Sequence, residues 1–205
     1  MTRRRDRIRR IAARVVVGLA LATLALVGLL MWQGGGRWEA TRMLWLARGT
    51  GWSALVALCL ALSATPAGRV LCRLAPGARV SAWVAAFRRA FGIAAASFAL
   101  LHAATALGGY LRGAWAAVLS FAYLRAGLVA LSILTAMLLT SFPLLVRRLR
   151  VRLWKPLHRL GYVAALLVLE HLALSPFAPR AITFALFGTL VAFGLLRLLP
   201  ARPRV

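Results

Sequence analysis

The sequence predicts an all-α integral membrane protein, a bundle of six transmembrane helices with both termini on the cytoplasmic side. Three observations carry that expectation. Of the 205 residues, 62% are hydrophobic and only 15% are charged, whereas a soluble domain holds about 45–50% apolar and about 25% charged residues. The charge is almost all of one sign, with 27 Lys plus Arg against 3 Asp plus Glu, a formal net charge of +24. All but Lys155 of the positive residues are Arg, and they are clumped between long apolar runs. A nucleic-acid binder of such basicity would spread its cations along one solvated face. The expected partner is therefore the lipid bilayer, with no nucleic acid. High hydropathy excludes disorder, and two cysteines, Cys59 and Cys72, are too few for a disulfide scaffold.

A spanning helix needs roughly 20 mostly apolar residues to cross a hydrocarbon core about 30 Å thick. Six stretches qualify: Val15 to Trp32, Thr50 to Thr65 with a Leu44 to Leu46 lead-in, Ala90 to Tyr110, Ala126 to Val146, Leu157 to Leu174, and Ala181 to Pro200. Gly34-Gly35-Gly36 is expected to end the first span and Pro66 the second, with Pro156 preceding the fifth and Pro176 following it. Ala114 to Leu124 is apolar and aromatic but too short to span, and reads as an interfacial or re-entrant helix. The basic N-terminus before an apolar run resembles a signal peptide. Its apolar stretch is longer than an h-region and lacks an A-x-A-like site, so an uncleaved first helix is expected. No linker or fixed-period repeat divides residues 1–205, and a single transmembrane domain is expected.

The arginines orient the bundle. With the N-terminus inside, 20 positive residues fall in cytoplasmic segments and six in outer ones, with Arg159 at the inner start of the fifth span. That asymmetry follows the positive-inside rule, and a seventh span at Ala114 to Leu124 would spoil it.

Apolar side chains do no chemistry, so function must come from the polar groups at membrane depth. These are His102, His158, His171, Glu170 and Arg159. His102 lies 14 residues past Arg88, and His171 lies 13 residues past His158. Each interval corresponds to about 20 Å of helix. On two parallel helices His102 and His171 therefore share one level, as an axial pair for a b-type haem would. His158 marks an inner level with no second histidine. His158 and His171 stand roughly 140° apart around an ideal helix, so they do not share one narrow stripe. Structural histidines bonded across helices are the alternative. Zinc would want further ligands, and neither cysteine belongs to a C-x-x-C-H haem attachment site. Arg88, Arg89 and Arg159, at the inner boundary, could hold haem propionates or a flavin phosphate, and lipid phosphates would serve them equally. Glu170 is expected near the outer helix end, within reach of Arg112 or Arg180.

Four groups of residues resemble the ferric-reductase-like transmembrane family, and within it the haem-binding subunits of periplasmic protein-methionine-sulfoxide reductase systems. They are Thr50-Gly51-Trp52-Ser53-Ala54-Leu55 leading to Thr65-Pro66; Arg88-Arg89-x-x-Gly92 with His102 downstream; Leu139-Thr140-Ser141; and Trp154-x-x-Leu157-His158-Arg159-Leu160-x-Tyr162 with His171 following. The core so covered is about residues 50–174. The resemblance implies a six-helix bundle binding b haem, one or two per chain, with His102, His158 and His171 at the ligand positions. It also implies electrons arriving from the quinone pool or a flavin such as FMN. They would leave for a soluble reductase catalytic subunit on the periplasmic side of a bacterial inner membrane. The family's Lys-Arg-Pro-Tyr box is replaced here by Tyr123-Leu124-Arg125-Ala126-Gly127. A ferric-reductase-like cytochrome b with another acceptor therefore stays open, as does a cofactor-free structural or transport bundle. Five residues follow Pro200 and no G-x-G-x-x-G follows a strand pattern. The electron donor is thus expected to be another molecule.

Overall fold

The computed structural model describes residues 40–74, 80–141 and 151–198, with isolated helical positions at 10, 11, 14, 18 and 25. The described residues form helices and short connections, without strands. In chain order they are α1 (Ala40–Leu74), α2 (Val80–Thr105) continuing as a π-helical segment (Ala106–Tyr110), α3 (Trp115–Ser120), α4 (Ala122–Leu139), α5 (Val151–Leu174) and α6 (Arg180–Leu198). Four stretches are long and apolar enough to cross a bilayer: Thr41–Leu71, Trp83–Gly109, Ala122–Leu139 and Pro156–Leu174. They correspond to the second through fifth expected spans, and α6 covers most of the sixth. The first, Val15 to Trp32, lies outside the described residues apart from two helical positions. The protein is a multi-pass membrane protein.

Two sequence expectations about helix ends are corrected. Pro66 does not end its helix: α1 runs eight residues further, with Pro66 buried inside it. Its missing N–H is tolerated because neighbouring helices and local adjustments re-satisfy freed backbone groups in membrane helices. Pro156 likewise lies inside α5 rather than before it. At 35 residues, α1 is about 52 Å long, more than a bilayer of about 40–45 Å including headgroups. Arg42 and Arg48, expected in an outer segment, are consequently on the helix itself, as are Arg88 and Arg89 on α2. The aromatic stretch Ala114 to Leu124 does not span. It is broken at Phe121, whose extended backbone (φ −89°, ψ 125°) separates the six-residue α3 from α4. Arg125 closes this break by donating to the Leu119 carbonyl at 2.9 Å, a cationic cap on the last carbonyls of α3.

The bundle is two antiparallel hairpins. Along α1 and α2, Met43 meets Gly109, Gly51 meets His102 and Gly68 meets Val84. Along α4 and α5, Gly127 meets His171 and Gly161 meets Met137. Small residues at such crossings let backbones approach where lipid supplies no hydrophobic driving force between helices. The hairpins join through a core of Ala94, Ala95, Ala96, Leu134, Ala164 and Ala165, with Ala57, Leu58, Leu62 and Phe98 completing it. Serine and threonine hydroxyls on the helices bond carbonyls of their own helix, as with Ser53 to Gly49 O, Ser132 to Leu128 O and Thr189 to Ala185 O, the usual solution in a low-dielectric medium. Between α5 and α6, Phe177 lies 5.6 Å from the Arg48 guanidinium, which also stacks 5.7 Å from the Trp45 ring. These cation–π contacts tie that connection to α1.

Candidate functional site

His102 and His171 sit near the C-terminal ends of α2 and α5, and the fold brings them together. Their ring centroids are 6.2 Å apart with the planes inclined at 80°. Each imidazole is held through Nδ1 by a backbone carbonyl of the neighbouring helix. His102 Nδ1 is 2.7 Å from Ala47 O on α1, and His171 Nδ1 is 2.7 Å from Tyr123 O on α4. A carbonyl oxygen only accepts, so Nδ1 carries the proton in both rings, and the neutral ring keeps a lone pair on Nε2. A carbonyl-held imidazole of this kind has its tautomer and orientation set for ligation through the other nitrogen. The Tyr123 ring flanks His171 at 5.8 Å between centroids.

The local sequence explains the placement. Thr105 bonds back to the carbonyls of Leu101 and His102, at 2.9 and 3.0 Å. Beyond it α2 widens into the π-helical segment Ala106–Tyr110, an irregularity frequent at functional sites. Arg112 (φ 48°) and Gly113 (φ 77°) then turn the chain in left-handed conformations. On α1, Thr50 is buried and donates to Leu46 O at 2.7 Å and to Ala47 O at 3.1 Å. The Thr50 hydroxyl thus leans mainly on Leu46 O, and the Ala47 carbonyl, already within the helical ladder of α1, takes His102 Nδ1 as its close side-chain donor.

Two imidazoles alone would leave a bare ion under-coordinated. Among the described residues no group of three or more His, Cys, Asp or Glu could hold a metal ion. The separation nevertheless leaves room for one metal ion with two metal–nitrogen bonds of about 2.0–2.1 Å, plus the ring radii. The pair therefore suits a metal whose remaining ligands come from a macrocycle.

His158 lies toward the other end of α5, half-buried and within electrostatic reach of Arg88 and Arg89. The Arg89 guanidinium donates to the Ser141 carbonyl at the end of α4, a favourable place for a cation. His158 and these two arginines are thus brought together; Arg159 is exposed on α5 and is not among the charges that act on His158. Glu170 is also exposed. Among the described residues it forms no ion pair with Arg112 or Arg180. Cys59 is a free, half-buried thiol in α1.

Sequence reasoning located the three histidines and the arginines but missed the groups that hold the facing pair, the Ala47 and Tyr123 carbonyls with Gly51 and Gly127. Gly51 was visible within the Thr50-Gly51-Trp52 box. Nothing in the sequence marks a particular backbone carbonyl as an acceptor.

The family described as the ferric reductase like transmembrane component matches residues 50–169. Three curated relatives are similar, each a protein-methionine-sulfoxide reductase heme-binding subunit MsrQ. That of Deinococcus radiodurans is 39% identical over 129 residues, 60% of this chain and 58% of the relative. That of Rhodospirillum rubrum is 32% identical over 205 residues, 96% of this chain and 90% of the relative. The Xanthomonas axonopodis pv. citri protein is 34% identical over 170 residues, 78% of this chain and 74% of the relative. The match to the Deinococcus protein spans less than two thirds of that relative. No solved structure matches the chain. Matched over more than half its length by the family and over nearly all of it by one relative, the chain belongs to the ferric-reductase-like transmembrane family.

Proposed function

We propose that this chain is a b-type haem electron-transfer subunit. It accepts electrons from quinol or a flavin such as FMN and passes them across a bacterial inner membrane to a periplasmic acceptor, the catalytic subunit of a methionine-sulfoxide reductase. The observation that carries the reading is the facing pair His102 and His171, each with Nδ1 committed to a carbonyl and Nε2 left as a base. The names of the three relatives, all heme-binding subunits, support it. The arginine asymmetry supports a single six-span domain over residues 1–205 with both termini cytoplasmic, which puts the His102 and His171 level toward the outer face.

A bound b haem supplies one-electron redox chemistry at a potential set by its ligands and surroundings. The chain's own residues do the rest. His102 and His171 ligate, and the carbonyls of Ala47 and Tyr123 orient them and raise their basicity. The alanine-rich core around Ala95 and Ala164 excludes water. Arg88 and Arg89, which act on His158, hold the anionic groups of the inner site, whether propionates of a second haem ligated by His158 or the phosphate of a flavin. Replacement of the Lys-Arg-Pro-Tyr box by Tyr123-Leu124-Arg125-Ala126-Gly127 favours a second reading, a cytochrome b of this family with a different acceptor.

Full-length protein purified with ample haem supply tests the cofactor. A reduced-minus-oxidised b-type band, abolished by His102→Ala and by His171→Ala, is expected; a wild type without any haem band leaves a cofactor-free bundle. The acceptor is tested separately with membranes, quinol and a periplasmic methionine-sulfoxide reductase catalytic subunit. No electron transfer there removes the acceptor assignment and leaves the cytochrome.

A further inference from the structure

The two histidine seats have the same construction. His102 Nδ1 bonds the carbonyl of Ala47, and the ring lies against Gly51, four residues later on α1. His171 Nδ1 bonds the carbonyl of Tyr123, and the ring lies against Gly127, four residues later on α4. The repetition has a geometric cause. In an α-helix the carbonyl of residue i points toward residue i+4, while the Cβ of residue i+4 leans back toward the N-terminus. A ring nitrogen approaching that carbonyl from the side therefore passes through the space that the Cβ would occupy. A Cβ at position 51 would stand 2.9 Å from His102 Nδ1 and 3.2 Å from Cε1, and one at position 127 would stand 2.8 Å and 3.2 Å from the same atoms of His171. Both are closer than non-bonded contact allows. Glycine inside a helix costs about 1 kcal/mol relative to alanine, so an interior glycine is accounted for when something needs its missing side chain. Gly49 is the contrast: a Cβ there meets nothing within 4 Å.

We infer that Gly51 and Gly127 are paired positioning residues. Each opens one helical carbonyl to an imidazole from the next helix, and together they set the two rings nearly perpendicular. The inference rests on the haem reading above for its consequence at the metal, but the seats themselves are a property of the polypeptide. Axial imidazoles at 80° leave the two π-type d orbitals of a ferric iron nearly degenerate. The low-spin resonance is then dominated by one large g value instead of a three-line rhombic pattern. Outer-shell partners of metal-bound histidines typically matter on the order of 10- to 100-fold in metal affinity, and the same loss is expected when a methyl group displaces either ring from its carbonyl.

The test uses full-length wild type, Gly51→Ala, Gly127→Ala and, as control, Gly49→Ala. In the haem-loaded protein the wild type and the Gly49→Ala control are expected to give the single large-g ferric signal. Gly51→Ala and Gly127→Ala are expected to shift that signal and to lower haem affinity by about 10- to 100-fold. A rhombic wild-type spectrum, or both seat variants matching wild type in spectrum and affinity, overturns the inference. A second readout needs no haem: the chain has three histidines, and ¹⁵N-histidine labelling reports their tautomers. Wild type should show His102 and His171 both Nδ1-protonated, each assigned by its His→Ala variant, with His102 losing that form in Gly51→Ala, His171 in Gly127→Ala, and neither in the control. If wild type binds no haem yet this pattern appears, the seats stand and the haem reading falls. If the Nδ1-protonated form of His102 or His171 survives its glycine substitution, the seats fall whatever haem does. Should a seat variant fail to fold, the wild-type spectrum decides, since perpendicular planes are required there.

Discussion

The two ends of the bundle use histidine in opposite surroundings. At one end His102 and His171 face each other, each held by a helix carbonyl 2.7 Å from Nδ1 and bordered by glycine. At the other, His158 stands beside Arg88 and Arg89, and Arg89 is tied to the Ser141 carbonyl. The first end is a pair of imidazoles held by backbone carbonyls, suited to a metal between two rings. The second is a cationic cluster made by side chains, suited to an anion. Similar intervals along α2 and α5 lead from one to the other, so parallel helices present the same two levels with different chemistry. What separates the levels is a layer of small residues, with Ala95 and Ala164 fully buried.

Substitutions should pull the ends apart. The largest effect is expected from His102→Ala set against His158→Ala. The first should abolish haem at the paired end, while the second should leave that end's spectrum in place, measured as haem per protein and by reduced-minus-oxidised spectra. Equal losses in both would mean that the levels are not independent. Next comes the layer between them: Ala164→Leu adds volume where none is free and should destabilise by about 1–3 kcal/mol, read from thermal unfolding in detergent. Arg89→Ala removes a charged hydrogen bond at an exposed position, and its cost should be about 1 kcal/mol with the paired-end spectrum unchanged; a shift of that spectrum would show coupling across the layer. Glu170→Gln should be smallest, within about 0.5 kcal/mol and spectroscopically silent, because Glu170 is exposed despite neighbouring His171 in sequence.

Much of this was legible before any coordinates. Counting 14 residues from Arg88 to His102 and 13 from His158 to His171, on helices assigned the same direction by the arginines, already put two histidines level. The same count put Arg88 and Arg89 level with His158. Helix ends were less legible. Pro66 reads as a terminator by local chemistry, yet α1 passes through it because neighbouring helices compensate. The break at Phe121 carries no proline or glycine of its own and arises where α3 gives way to α4.

The amino-acid sequence by itself determined the membrane character, the apolar stretches, the clustering of positive charge between them and which polar groups could carry chemistry. All of these are sums over composition and spacing along one helix, and they need no knowledge of a neighbour. Only the tertiary structure decided that the Ala47 and Tyr123 carbonyls are the acceptors, that Gly51 and Gly127 open them, and that the rings meet at 80°. Every helix residue has a carbonyl, and which one receives a side chain depends on how two helices cross at sub-ångström tolerance, a relation between segments that no single segment encodes.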